Sequence, residues 1–237
     1  MKILAIDSSS LVASCALIED EILTAELTVN HKKTHSQTLL PLIDGMFRLT
    51  ETEPEELDAI AVSGGPGSFT GIRIGMATAK ALAQVWDKPV ICVPTLQSFA
   101  FCGYGEGRGE RLLFCPMFDA RRSQVYAGAY EPGSRTAVVE DSAWDPDELI
   151  SRLREVSGAY DRIVFFGDGI EPWKEKIEGS GLVFETAPED ARYQTACQAA
   201  RLAAVMYGAG ELCDCYTASP EYLRLAEAER KLAEKDR

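Results

Sequence analysis

Gly64-Gly65-Pro66-Gly67-Ser68-Phe69-Thr70-Gly71 is the stretch on which the fold turns. Its glycines accept backbone angles closed to other residues, and Pro66 stiffens the bend between them. The apolar run Asp58 to Ser63 before it reads as a strand, and the alanine-rich run Ile72 to Trp86 after it reads as a helix. Ser68 or Thr70 can cap that helix. A glycine turn from strand to helix can present N–H groups to an anion, at Gly64, Gly65, Gly67 and Ser68. It can equally be a tight turn that only aims the helix. The run lacks the Gly-Lys-Ser/Thr ending of a P-loop and is not G-x-G-x-x-G. Lys80 lies too far down the helix to serve as a phosphate-binding lysine.

Outward from the loop, strands are predicted at Lys2 to Asp7, Ala13 to Ile18, Ile22 to Val29 and Pro89 to Pro94. Glu19-Asp20-Glu21 fits a hairpin turn. A helix is predicted over Thr34 to Thr50, with Pro41 giving it a kink or a late start. The order is β-β-β-α-β-α-β. The second half is less regular. It offers a short helix at Thr95 to Cys102, strands at Arg111 to Asp119, Gln124 to Tyr130 and Arg162 to Gly167, and helices at Asp145 to Val156 and Tyr193 to Tyr207. The loop Gly103 to Gly109 is the natural break. It separates an N-terminal lobe, 1–103, from a smaller lobe, 104–237, whose last helix can pack back on the first. Both halves open with strands, which suits two similar α/β lobes.

The chain has 237 residues, 46% hydrophobic and 26% charged, as in an ordinary soluble globular protein. No apolar run reaches the roughly 18 residues of a membrane span, and Asp7 interrupts the first strand too early for a signal peptide. The chain therefore reads as cytoplasmic, with no membrane partner. The net charge is −13. A surface this acidic repels phosphate, so RNA would be held by a more basic partner.

Four features carry candidate chemistry. Asp7 followed by Ser8, Ser9 and Ser10 ends the first strand. Actin-like folds begin their first phosphate loop in this way, with the carboxylate ordering a metal-bound water. A carboxylate that caps local N–H groups at a strand-to-turn junction has the same spacing. His31 and His35 are the only histidines. H-x-x-x-H on a helix can bind zinc, but Lys32 stands where a metalloprotease base would be, and His35 suits hydrogen bonding at a helix start. No metal is expected. Cys213 and Cys215 form a lone C-x-C pair without a second cluster and read as thiols near a helix end. Finally, both N-terminal helices are apolar on too many sides to bury one face. Leu39, Ile43 and Met46 on the first, with Ile72, Ile74, Met76 and Ala79 on the second, are candidates for a partner interface; full burial in the monomer is the alternative. No catalytic triad, Cys-His pair or carboxylate pair is supported, so no catalytic residue is assigned.

Met1-Lys2-Ile3-Leu4-Ala5-Ile6-Asp7-Ser8-Ser9, His35-Ser36-Gln37-Thr38-Leu39-Leu40-Pro41-Leu42-Ile43 and Ser63 to Gly75 resemble the bacterial TsaB family of threonylcarbamoyladenosine biosynthesis proteins, once grouped with glycoprotease-like peptidases. Pro220-Glu221-Tyr222-Leu223-Arg224 and Ala228-Glu229 resemble the family's ending. The match is specific from Met1 to about Thr95, and the middle resembles the family only in outline. The resemblance implies an actin-like (sugar kinase-type) two-lobe fold. It also implies a non-catalytic role in modifying tRNA beside the anticodon. In that family the first two helices dock on a catalytic paralogue, TsaD, alongside an ATPase, TsaE; members pair with themselves when TsaD is absent. tRNA is met only through the complex. No cofactor is expected to be tightly bound, though ATP or ADP can sit at the partner interface. The catalytic paralogue carries its metal histidines after the strand matching Val90 to Val93. Here that stretch is Pro94-Thr95-Leu96-Gln97-Ser98-Phe99, without histidine. An ATP-binding or glycoprotease-like enzyme acting alone is the competing reading.

Overall fold

The structure, a computed structural model, describes residues 1–31 and 34–224; Lys32, Ala228 and Glu229 lie outside the described residues. Six residues, Lys2–Asp7, form β1, buried from Ile3 onward as a central strand should be. β1 pairs antiparallel with β2 (Ala13–Glu19) and parallel with β4 (Ala59–Gly65), so Ile6 sits between Cys15 and Val62. β3 (Ile22–Val29) and β5 (Val90–Pro94) close the edges, giving the order β3-β2-β1-β4-β5. Asp20 and Glu21, between β2 and β3, both take positive φ, the sense that matches strand twist in a two-residue hairpin.

The second sheet, order β10-β9-β6-β7-β8, contains β6 (Leu112–Asp119), β7 (Val125–Tyr130), β8 (Ala137–Trp144), β9 (Arg162–Phe166) and β10 (Phe184–Thr186). Sequence patterning did not predict β8 or β10, nor the short helices α4 (Lys174–Glu178) and α5 (Glu189–Arg192). The longer helices are α1 (His35–Thr50), α2 (Phe69–Trp86), α3 (Pro146–Ser157) and α6 (Ala196–Gly208).

Helix α1 starts at His35 and continues through Pro41, so the expected late start does not occur. Pro41 lies on the exposed side, where water can satisfy the carbonyl whose helical partner proline lacks. Helix α6 begins at Ala196 rather than Tyr193, because Thr195 and Gln198 form a reciprocal cap there. It packs on the first sheet, filling one face with Ala199, Leu202 and Ala203 against Ile3, Ala5 and Ile91. Helices α1 and α2 cover the opposite face, over Leu4, Ile6, Leu17 and Val62. Between the short helix Gln97–Phe101 and the second sheet, Phe99, Phe114, Phe118 and Phe166 form an aromatic cluster, with Phe114 and Phe166 centroids 5.1 Å apart.

This packing corrects the residues proposed for a partner interface. Leu39, Ile43, Met46, Ile72, Met76 and Ala79 are at most 3% exposed. Ile74 packs against the same cluster. Those six form the sector of each helix that faces the sheet, while Ile74 is half-buried and lies about 200° round α2 from Ile72.

The second sheet holds a strained titration. The Tyr130 hydroxyl donates to Asp141 Oδ1 at 2.6 Å. Burial pushes the Asp141 carboxyl up to about 6; the Tyr130 hydrogen bond opposes this, while Glu221 and Glu140 add to it. The fold therefore favours the neutral acid. That contribution is complete below the ordinary aspartate pKa and is lost as pH rises through about 6.

Two outcomes are expected. Met46→Ala should cost roughly 2–5 kcal/mol in urea unfolding, while Leu49→Ala, on the exposed side of the same helix, should change stability by less than about 0.5 kcal/mol. Asp141→Asn, which keeps an acceptor for Tyr130, should match the wild type at pH 4 and exceed it at pH 8, by on the order of 1–3 kcal/mol. Equal gaps at both pH values would exclude a titration of Asp141 as the cause.

Candidate functional site

Asp7 ends β1 fully buried. Its Oδ2 accepts from the Ser9 hydroxyl at 2.9 Å and its Oδ1 from the Ser9 amide at 3.3 Å. Burial raises the Asp7 pKa, opposed by hydrogen bonds from Ser63 and Ser9 and by His35 nearby. The capping role is thus filled, and the carboxylate is turned into the protein. Ser9 Oγ also lies 3.4 Å from Gln194 Oε1, and Gln194 Nε2 donates to Ser63 and Ser98 at 3.1 and 3.0 Å. Gln194 is fully buried and joins β1, β4 and the approach to α6. Sequence reasoning missed it, because a single glutamine beside a helix start has no distinguishing pattern.

The glycine loop closes on this same turn. The Ser68 amide donates to Ser9 O at 2.7 Å. Ser68 Oγ accepts from the Gly71 amide at 3.2 Å, capping α2. Ser8 Oγ donates to Gly71 O at 2.8 Å. A Cβ on Gly71 would lie 2.0 Å from Ser8 O, and one on Gly67 would lie 2.5 Å from Ser9 O. On the other side, Gly65 has φ +129 and its amide donates to Thr95 Oγ1 at 3.0 Å. A Cβ there would lie 2.3 Å from Glu221 O, and the Glu221 amide donates to Gly64 O at 2.8 Å. The structure brings Asp7, Ser8, Gly64, Gly65, Gly67 and Ser68 into one neighbourhood. It fills the space between them with the chain's own backbone, so the loop presents no open anion cradle.

The remaining candidates fall apart as a site. His35 Nε2 lies 2.9 Å from Ser10 O, at the start of α1. His31 is an exposed residue outside that helix. No metal-binding group of three or more His, Cys, Asp or Glu occurs among the described residues. Cys213 forms an antiparallel bridge to Val90 on the edge of the first sheet. Its thiol donates to Val90 O at 3.2 Å and lies 3.8 Å from Cys92 Sγ. Burial pushes it up to about 12, with Cys92 adding to the effect. Cys213 and Cys215 pack against the first core cluster.

The outer sector of α1 and α2 remains. Phe47 and Trp86 stack across the two helices with centroids 5.6 Å apart. Leu40 is 53% exposed, Leu49 76%, Phe69 43% and Val85 78%. Ala77, Ala81 and Val85 follow one another at four-residue spacing and form an exposed apolar strip on α2. Leu40 and Leu49 stand on different sides of α1, and the Arg73 guanidinium lies 3.8 Å over the Phe69 ring. Among the described residues no helix is long and apolar enough to cross a membrane.

Known proteins fit this geometry. The family model described as TsaD, tRNA N6-adenosine threonylcarbamoyltransferase, matches residues 24–232. The tRNA threonylcarbamoyladenosine biosynthesis protein TsaB of Bacillus subtilis is 33% identical, over 99% of both chains. The TsaB protein of Escherichia coli is 31% identical over the full length of both. In three dimensions, a Pseudomonas aeruginosa protein described as similar to peptidase YeaZ has TM-score 0.77 at 25% identity, over 94% of this chain and 99% of that one. A ROK hexokinase from Thermus thermophilus, 13% identical, has TM-score 0.50 over 89% of this chain and 100% of its own, which shows the shared actin-like, sugar kinase-type fold. The chain belongs to the TsaB family of tRNA threonylcarbamoyladenosine biosynthesis proteins.

Proposed function

We propose that the chain is a non-catalytic subunit of tRNA threonylcarbamoyladenosine biosynthesis that docks on a TsaD-like catalytic paralogue. The observation that carries this reading is the exposed apolar sector of α1 and α2, beside a glycine loop already filled by the chain itself. Docking runs through Leu40, Phe69, Ala77, Ala81 and Val85 rather than the buried residues behind them. Alanines at that spacing let a partner helix approach closely. A TsaE-like ATPase is the third component, and self-pairing through the same sector takes place when the catalytic subunit is absent. With a net charge of −13, the chain meets tRNA only through the more basic assembly.

The competing reading, an enzyme acting alone, draws on Asp7, the glycine loop and the likeness to a protein described as similar to a peptidase. Asp7 and the Gly65, Ser68 and Gly71 amides already have partners within the chain, and His35 is engaged by Ser10 O. ATP or ADP used by the assembly would then be held at a partner interface and not by this chain alone.

The test is titration calorimetry with the TsaD homologue of the same organism. Ala77→Asp and Ala81→Glu place charges on the docking sector without touching the core. Each is expected to weaken the complex at least about 100-fold, or about 2.7 kcal/mol, with the melting temperature of the isolated chain held. Ile43→Asp should instead unfold the monomer. Wild-type affinity in the Ala77→Asp, Ala81→Glu double variant would refute docking through this sector.

A further inference from the structure

The segment after α6 takes an unusual path. It pairs with the edge of the first sheet at Cys213 and then leaves the sheet. Lys80 Nζ, on α2, donates to Ala218 O at 2.8 Å. The Glu221 amide reaches Gly64 O, and the Glu221 carbonyl lies over Gly65. Tyr222 turns outward: its ring lies 5.4 Å from that of Phe69, and its hydroxyl accepts from Arg73 Nε at 2.9 Å. Leu223 turns inward and packs on the aromatic cluster of the second sheet. Arg224 Nη1 reaches the second sheet, donating to Gln124 Oε1 at 3.0 Å and Ala120 O at 3.3 Å in the turn between β6 and β7.

Residues 218 and 221–224 thus touch the docking helix, the glycine loop, the aromatic cluster and the second sheet. Tyr222 and Leu223 point opposite ways. Yet the segment joins no sheet ladder. Its root, Ala218, is buried in the first core cluster with its amide donating to Asp214 O; beyond it the segment is held by side-chain anchors and one backbone bond from Glu221, the pattern of a unit that opens before the globular core does.

We propose that residues 218–224 are a releasable latch. It lies across the cleft between the two sheets, holds them together, and occupies the place beside Gly64 and Gly65 that the phosphates of a nucleoside triphosphate would need. While it is closed, the intact chain excludes such a ligand from the glycine loop. This goes beyond the docking reading and does not depend on it.

Hydrogen exchange read by mass spectrometry on the full chain tests the latch. Tyr222→Ala/Arg224→Ala removes two anchors that face away from the aromatic cluster. Exchange is expected to rise at least about tenfold at Gly65, Thr95 and 120–124, while 3–6 in β1 and 163–166 in β9 keep wild-type rates. Leu223→Ala, which removes the third anchor, should give the same pattern. Unchanged rates at the first set in all variants would overturn the proposal. So would equal acceleration everywhere, which would make the segment part of the core. Magnesium ATP is the ligand probe. Saturable binding by the intact chain, with exchange at 218–224 unaltered, would overturn it as well; no binding is expected.

Discussion

The N-terminal half depends on how closely the start of α2 approaches the turn after β1. The gap left for a side chain at Gly71 is only 2.0 Å from Ser8 O, and at Gly67 only 2.5 Å from Ser9 O. Real Cβ atoms do not fit at such distances. Because the backbones meet directly, Ser8 and Ser68 can fasten the junction through Gly71, and Ser68 N can reach Ser9 O. That contact sets the angle of α2 on the sheet, and α2 in turn seats α1 through Phe47 and Trp86. The orientation of the proposed docking sector therefore starts from a close contact between two backbones.

The same contact explains why the motif misleads. A glycine loop at a helix start after a carboxylate-ended strand has the parts of a phosphate site. Here those parts face one another. Admitting a phosphate would break Ser68 N to Ser9 O, Gly71 N to Ser68 Oγ, and Glu221 N to Gly64 O. At about 1 kcal/mol net for each such bond, a ligand would first have to offset a few kcal/mol before showing any affinity. Asp7, held by Ser9 and fully buried, would also have to turn outward.

Most of the first sheet was legible because its strands are continuous apolar runs and its hairpin and glycine loop are marked by turn residues. The order of elements along the chain, β-β-β-α-β-α-β, followed from those signals. The second sheet was less legible for identifiable reasons. β8 is half-buried along most of its length, so it lacks a clean period of two, and β10 has only three residues. Tyr193 and Gln194 continue the composition of α6, and only the cap at Thr195 sets the true start. The site was legible in its membership but not in its state. Nothing local to Gly64 announces that Glu221, near the far end of the chain, lies against it.

The helices show the same limit in another form. Composition established that α1 and α2 are apolar on more than one side, which is correct. It could not say which side faces the sheet, because a helix that is apolar nearly all round has no strong direction of its own. The register of the sheet decides: Met46 and Ala79 turn in to full burial, while Leu49 and Val85 turn out to more than 70% exposure. The residues left outside are the informative ones. Burial in the monomer already explains the inner sector and leaves it nothing further to do. Apolar side chains held outward, as Leu49 and Val85 are, are unfavourable in water. Covering them with a partner is the physical ground for the proposed docking, which calls for no chemistry at the glycine loop.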